Sequence, residues 1–123
     1  MSENSNKKPF DLEERTFQFA KKIRLFVKTI ERTIANIEDA KQVIRSSGSV
    51  GANYIEANEA LSKKDFIYRI KISRKEAKES VFWLRLINET NITNDKKIVE
   101  ELIQESTELK KILSSIIEKS NKD

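Results

Sequence analysis

Cysteine and histidine are both absent from the 123 residues. Without them there is no thiol nucleophile, no disulfide, no thiolate or imidazole ligand for a structural zinc, and no imidazole general base. The Glu-x-x-His pairs that hold di-iron centres in helical bundles are excluded by the same lack. Glycine occurs twice and proline once, too few to punctuate an all-β chain, whereas long helices with short connections suit such a composition. No stretch approaches the roughly 18 apolar residues needed to span a bilayer, and residues 1–8 lack the apolar core of a secretory signal. The sequence therefore predicts a cytoplasmic chain with no membrane partner, no cofactor, no metal and no ordinary catalytic apparatus.

Charge and aliphatic bulk are what the chain has in quantity. Its length suffices to bury one core without staples, and the expected division is a single domain at 11–118 between polar tails at 1–10 and 119–123. The formal charge is +4, unevenly spread. Residues 11–34 hold six basic and four acidic side chains and residues 62–90 eight basic and four acidic, while 35–61 and 91–123 are net acidic. A polyanion would be drawn to the first and third of these segments.

Hydrophobic periodicity resolves four helices. Asp11 with Glu14 has the form of a capping box, and Ala20, Ile23, Val27, Ile30 and Ile34 follow in steps of three and four, flanked by Phe19 and Phe26. Asn36 with Asp39 marks a second start, after which Ala40, Val43, Ser47, Val50, Tyr54, Ala57 and Leu61 keep the rhythm. Ser62 with Asp65 opens a third helix, with Phe66, Ile70, Ser73, Ala77, Ser80, Leu84 and Ile87 as its seam. Thr93 or Asn94 caps a fourth, apolar along one face from Ile98 to Ile117. Helices of about 20 to 25 residues, each about 30 Å long and joined by short links, pack as an all-α, antiparallel up-down four-helix bundle.

Two features resist a single-core reading. Residues 46–53, Ser-Ser-Gly-Ser-Val-Gly-Ala-Asn, read as a loop by local rules. Each helical glycine costs about 1 kcal/mol relative to alanine, and serine and asparagine compete for backbone hydrogen bonds. Yet no charge occurs from residue 46 to residue 55, and Ile44, Gly48, Gly51 and Ile55 form a seam that would let another helix come close. Loop and helix both stay open on these grounds. On the third helix a second stripe, Ile72, Phe82, Trp83 and Leu86, cannot all face the same core and calls for cover from the second helix or from another subunit.

The run Arg45-Ser46-Ser47-Gly48-Ser49-Val50-Gly51-Ala52-Asn53-Tyr54-Ile55-Glu56-Ala57 is followed by Ser62-Lys63-Lys64-Asp65-Phe66, Lys75-Glu76-Ala77-Lys78-Glu79 and Trp83-Leu84. In order and spacing these blocks resemble the signature of the bacterial four-helix bundle family encoded in 23S ribosomal RNA intervening sequences. The resemblance covers most of the chain, and departs from the family in lacking a Leu-Pro pair between the first two helices. It implies that residues 46–53 are helical and that Arg45, Ser46, Ser49, Gly51, Asn53, Glu56, Phe66, Glu76 and Trp83 are structural motif positions. It further implies assembly as a ring, typically a homopentamer. Nucleic-acid binding is the role usually proposed for the family, and a related branch serves as accessory protein to a reverse transcriptase.

Lys64, Lys71, Lys78 and Arg85 recur every seven residues, with Arg74 and Lys75 beside them, and Lys21, Lys22, Arg24 and Lys28 cluster on the first helix. Such a rail can neutralise successive phosphates. Interleaved with Asp65, Glu76 and Glu79, it can equally be a solvated helix face. No base-stacking set of aromatics stands out, so recognition through the backbone, without sequence readout, is expected. Glu56 and Glu76 are expected to pair with Arg45, Arg69 or Arg74 rather than to serve as metal or hydrolytic acids. Tyr54, Phe82 and Trp83 are expected in the core or an interface. The readings converge on a homo-oligomeric module that binds RNA or DNA, the alternative being a scaffold for a partner protein.

Overall fold

Asp11 accepts a hydrogen bond from the Glu14 backbone N–H at 3.2 Å and starts α1, Leu12–Val27. The expected continuation through Ile30 and Ile34 does not occur. The Lys28 N–H turns back to the Phe26 carbonyl, which also accepts from the Thr29 N–H at 2.9 Å and from Thr29 Oγ1 at 2.7 Å. Apolar spacing runs through this stop because Ile30 still packs on the core from the link. Thr33, not Asn36, caps α2, Ile34–Asn58, by accepting from the Asn36 N–H at 3.1 Å. Ser62 caps α3, Lys63–Thr90, by accepting from the Asp65 N–H at 3.0 Å, as its spacing predicts. The fourth helix, α4, is Lys96–Lys122. It runs past residue 118, where composition predicts a polar tail, and Lys119 and Lys122 in its last turn suit the negative pole there. The computed structural model describes residues 11–92 and 95–122; the expected tail at 1–10 and the Thr93 or Asn94 cap lie outside these.

Residues 46–53 are helical, and the neighbours explain why. At Gly51 a Cβ would lie 2.8 Å from Thr16 Oγ1 and 3.1 Å from Thr16 Cβ, so α1 approaches α2 only because no side chain is there. One hydroxyl of the stretch, that of Ser46, is taken up by the neighbouring helix, while Ser47 Oγ donates within α2 to the Ile44 carbonyl at 3.3 Å. Ser46 Oγ and Ser80 Oγ lie 2.8 Å apart, Ser73 Oγ donates to the Val50 carbonyl at 2.7 Å, and Ser106 Oγ donates to the Ala77 carbonyl at 2.7 Å. Among the described residues no buried side-chain nitrogen or oxygen lacks a partner.

The helices neighbour one another in chain order, with α4 returning to α1, and all neighbours are antiparallel. Thr16 lies by Gly51 while Arg24 lies by Gly48, Ser46 meets Ser80 while Asn53 meets Arg69, and Arg15 meets Glu105. The backbones of α1 and α3 are not neighbours, and the two helices occupy opposite corners. One core cluster joins all four helices, with Phe19, Ile23, Val43, Leu84, Val99 and Leu109 at its centre; a second, of Val50, Ala57, Ile70, Ala77, Leu113 and Ile117, draws on α2, α3 and α4 alone. Three residues assigned to seams fall outside: Ile34 opens α2 in solvent, Ile55 is exposed near its end, and Leu61 sits fully exposed in the link before α3. Among the described residues there is no strand, and no helix is long and apolar enough to cross a membrane.

Candidate nucleic-acid interface

Helix α3 offers its outer face along most of its length, because its seam is held by α2 and α4. On that face Lys64, Lys71, Lys75, Lys78 and Arg85 are all exposed. None of the four lysines forms an ion pair within 4.0 Å among the described residues, whereas Arg85 reaches Glu89 at 3.6 Å. At 1.5 Å per residue the strip is about 31 Å long. Arg74 departs from the expectation: it is half-buried, and its Nη1 leans toward Ser114 Oγ of α4 at 3.5 Å, away from the strip.

The cations of α1 are exposed as well. Lys21, Lys22, Arg24 and Lys28 all reach solvent, Arg24 with Nη1 on the Ala20 carbonyl at 3.1 Å. Since α1 and α3 stand at opposite corners, one chain does not bring the two clusters together. Lys22 borders a different feature, an open groove of about 680 Å³ between α1 and α4 walled by Phe19, Leu25, Phe26, Ile98 and Leu102. At one end it is closed by Arg15, which donates to Glu105 at 2.7 and 2.8 Å and to Glu108 at 3.0 Å. The hydrogen bonds from Arg15 to Glu105 and the field of that carboxylate raise the Arg15 pKa against the opposing effect of burial.

Among the motif residues, Arg45, Ser46, Asn53 and Glu76 link α2 to α3, whereas Gly51 faces Thr16 of α1. Arg45 bridges the buried Glu76 at 3.3 Å and also binds Glu79, whose other partner is Trp83 Nε1 at 3.0 Å. The Trp83 hydrogen bond and then Arg45 hold the Glu79 carboxyl below its ordinary range, over the contrary effect of burial. Asn53 donates to the Ser49 carbonyl at 3.0 Å and Oγ at 2.9 Å and accepts from Arg69 at 3.4 Å. Phe66 packs half-buried on the second core cluster. Glu56 departs from the expected pairing: it is exposed, with no arginine within 4.0 Å among the described residues. Groups of three or more acidic, histidine or cysteine side chains that could hold a metal are also absent among the described residues.

Tyr54 and Trp83 are half-buried against the core, but Phe82 is not a core residue: it is 56% exposed, its ring edge-on to Trp83 with centroids 4.9 Å apart. Tyr68, which no seam or motif block singles out, is 58% exposed beside Lys64 and Lys71, with Arg69 Cζ 5.9 Å from its ring centroid. Spacing is the signal that could have found it. Positions 64, 68, 71, 75, 78, 82 and 85 step by four and three along one helical stripe.

A solved structure described as a protein of unknown function from the S23 ribosomal protein family, from Bacteroides thetaiotaomicron VPI-5482, is similar at a TM-score of 0.74 and 35% identity. The match covers 85% of this chain and 96% of that one. No curated protein matches. The sequence pattern of the 23S rRNA-intervening sequence protein family matches residues 8–115. With residues 46–53 helical as that resemblance implied, the chain belongs to the 23S rRNA-intervening sequence protein family.

Proposed function

We propose that the chain is a non-enzymatic helical-bundle module of the cytoplasm that binds RNA or DNA through phosphates along the outer face of α3. One observation carries the reading: Lys64, Lys71, Lys75 and Lys78 project from a single helix with no carboxylate within 4.0 Å among the described residues. Among the described residues Lys41, 3.5 Å from Glu38, is the one lysine with a carboxylate within 4.0 Å, so what distinguishes the α3 lysines is their alignment along one exposed helix face. Such a row presents positive potential to a polyanion and releases its counterions on contact. Fluorescence anisotropy of a labelled RNA, titrated across a salt series, tests this. Replacing Lys71, Lys75 and Lys78 together by glutamine is expected to weaken binding at least tenfold and to flatten the salt slope, with the helical circular dichroism unchanged. Absence of binding at low salt, or binding indifferent to salt, refutes the phosphate mechanism.

Homo-oligomeric assembly, as a ring of the kind the family resemblance implies, accompanies this proposal. It is supported by the exposed Phe17 and Leu25 on α1 and the apolar groove beside them. The same groove favours a second reading, a scaffold that docks a partner protein, which a pull-down surviving nuclease treatment would support.

A further inference from the structure

The stripe on α3 is not purely cationic. Along its length it runs Lys64, Tyr68, Lys71, Lys75, Lys78, Phe82, Arg85, every member exposed or nearly so. An aromatic ring in solvent loses the favourable burial that a core position would give it, and two of them, more than half exposed, are set among cations on one face. Both rings are braced. Phe82 stands edge-on to Trp83, which is itself tied to Glu79, and Tyr68 lies under the Arg69 guanidinium while Lys63, Lys64, Ile67 and Lys71 border the same depression. A base stacked on either ring would find its phosphate within reach of a lysine one turn away. Tyr68 and Phe82 are 14 positions apart, about 21 Å along the axis, so they would serve bases several nucleotides apart on one strand.

We propose, on the footing of the nucleic-acid reading above, that the α3 stripe is a platform for an unpaired polynucleotide strand, with Tyr68 and Phe82 as base-stacking rungs between phosphate-binding lysines. A duplex keeps its bases stacked inside and offers the rings only backbone, whereas a single strand presents π-faces of any base, without sequence preference. The charge of the strip selects a polyanion, and the rings select one with bases free to turn outward.

The test uses the full-length chain, a labelled 20-nucleotide oligo(U), oligo(dT) of the same length, and a hairpin duplex, in parallel anisotropy titrations. The single strands are expected to bind more tightly than the duplex and to quench the one tryptophan of the chain, Trp83, which touches Phe82. Tyr68→Ala and Phe82→Ala, both at exposed positions, are each expected to weaken single-strand binding about tenfold. Duplex binding and the salt slope should stay as they are, because the phosphate contacts remain. If the duplex binds as well as the single strands and neither aromatic variant changes anything, the platform is overturned while backbone binding stands. If nothing binds, both proposals fall. If Tyr68→Ala or Phe82→Ala instead splits an oligomer with strand affinity intact, the stripe is a subunit contact and the platform is equally overturned.

Discussion

The two glycines of α2 sit three residues apart in the same helix yet face unlike neighbours. At Gly51 an added methyl would press on Thr16, a short side chain that is itself buried and whose hydroxyl donates to the Leu12 carbonyl at 2.7 Å. At Gly48 the same methyl would come within 3.4 Å of Arg24 Nη2, the far end of a long, exposed side chain. Helix propensity favours alanine by about 1 kcal/mol at either site, and overpacking opposes it by about 1–3 kcal/mol only where the neighbour cannot yield. Gly48→Ala is therefore expected to raise the urea midpoint and Gly51→Ala to lower it. Adding Thr16→Ala should recover part of the loss at Gly51, since it removes the nearer of the two clashing atoms.

Among the elements, α1 is the least secured. It is 16 residues long beside partners of 25, 28 and 27 residues. Toward α4 it leaves an open groove, closed at one end by the Arg15 clasp to Glu105 and Glu108. Arg15→Ala is expected to cost about 1 kcal/mol, the lower range for a forked guanidinium–carboxylate pair that is about a third exposed. Amide exchange should then quicken in Leu12–Val27 and leave the α2–α3 amides unchanged, the pattern of a locally opening element. If the loss instead spreads evenly over the four helices, α1 is not a separate unit. This asymmetry is only partly legible in the sequence. Asp11 and Ser62 announce their helices because a cap is local chemistry, confined to a residue and the N–H three positions on. The end of α1 is set by hydrogen bonds that converge on one carbonyl, that of Phe26, while Ile30 keeps the apolar rhythm going from outside the helix. Asn36 misleads for a related reason: its amide is spent on Glu31 and on Asn91, 55 positions away, which no local rule can supply. The serine-rich stretch of α2 is legible only through resemblance, since the Ser46 hydroxyl and the Val50 carbonyl find partners in Ser80 and Ser73, 34 and 23 positions distant. The lysines of α3 are plain from their seven-residue spacing, whereas the exposure of Tyr68 and Phe82 depends on which face α2 and α4 leave open.

The whole molecule separates its two cationic groups, and that separation makes the state of assembly measurable through binding. α1 and α3 lie across the bundle from each other, and helices with their side chains are about 10 Å thick. A strand along α3 therefore cannot reach Lys21, Arg24 or Lys28 of the same chain without crossing α2 or α4. In a lone 14.3 kDa chain, replacing those three residues by glutamine would leave the affinity and salt slope of α3 binding unchanged. In a head-to-tail ring, which joins unlike faces of successive subunits, the α1 corner of one subunit can lie beside the α3 corner of the next. The same replacement would then lower the slope by about 0.7 for each phosphate of a single strand that is no longer neutralised. Light scattering is expected to give a multiple of 14.3 kDa, and the α1 replacement to flatten the slope in that particle. A large particle with an unchanged slope would show that the ring keeps the two strips apart. A single-chain particle would remove the assembly and leave α3 to bind alone.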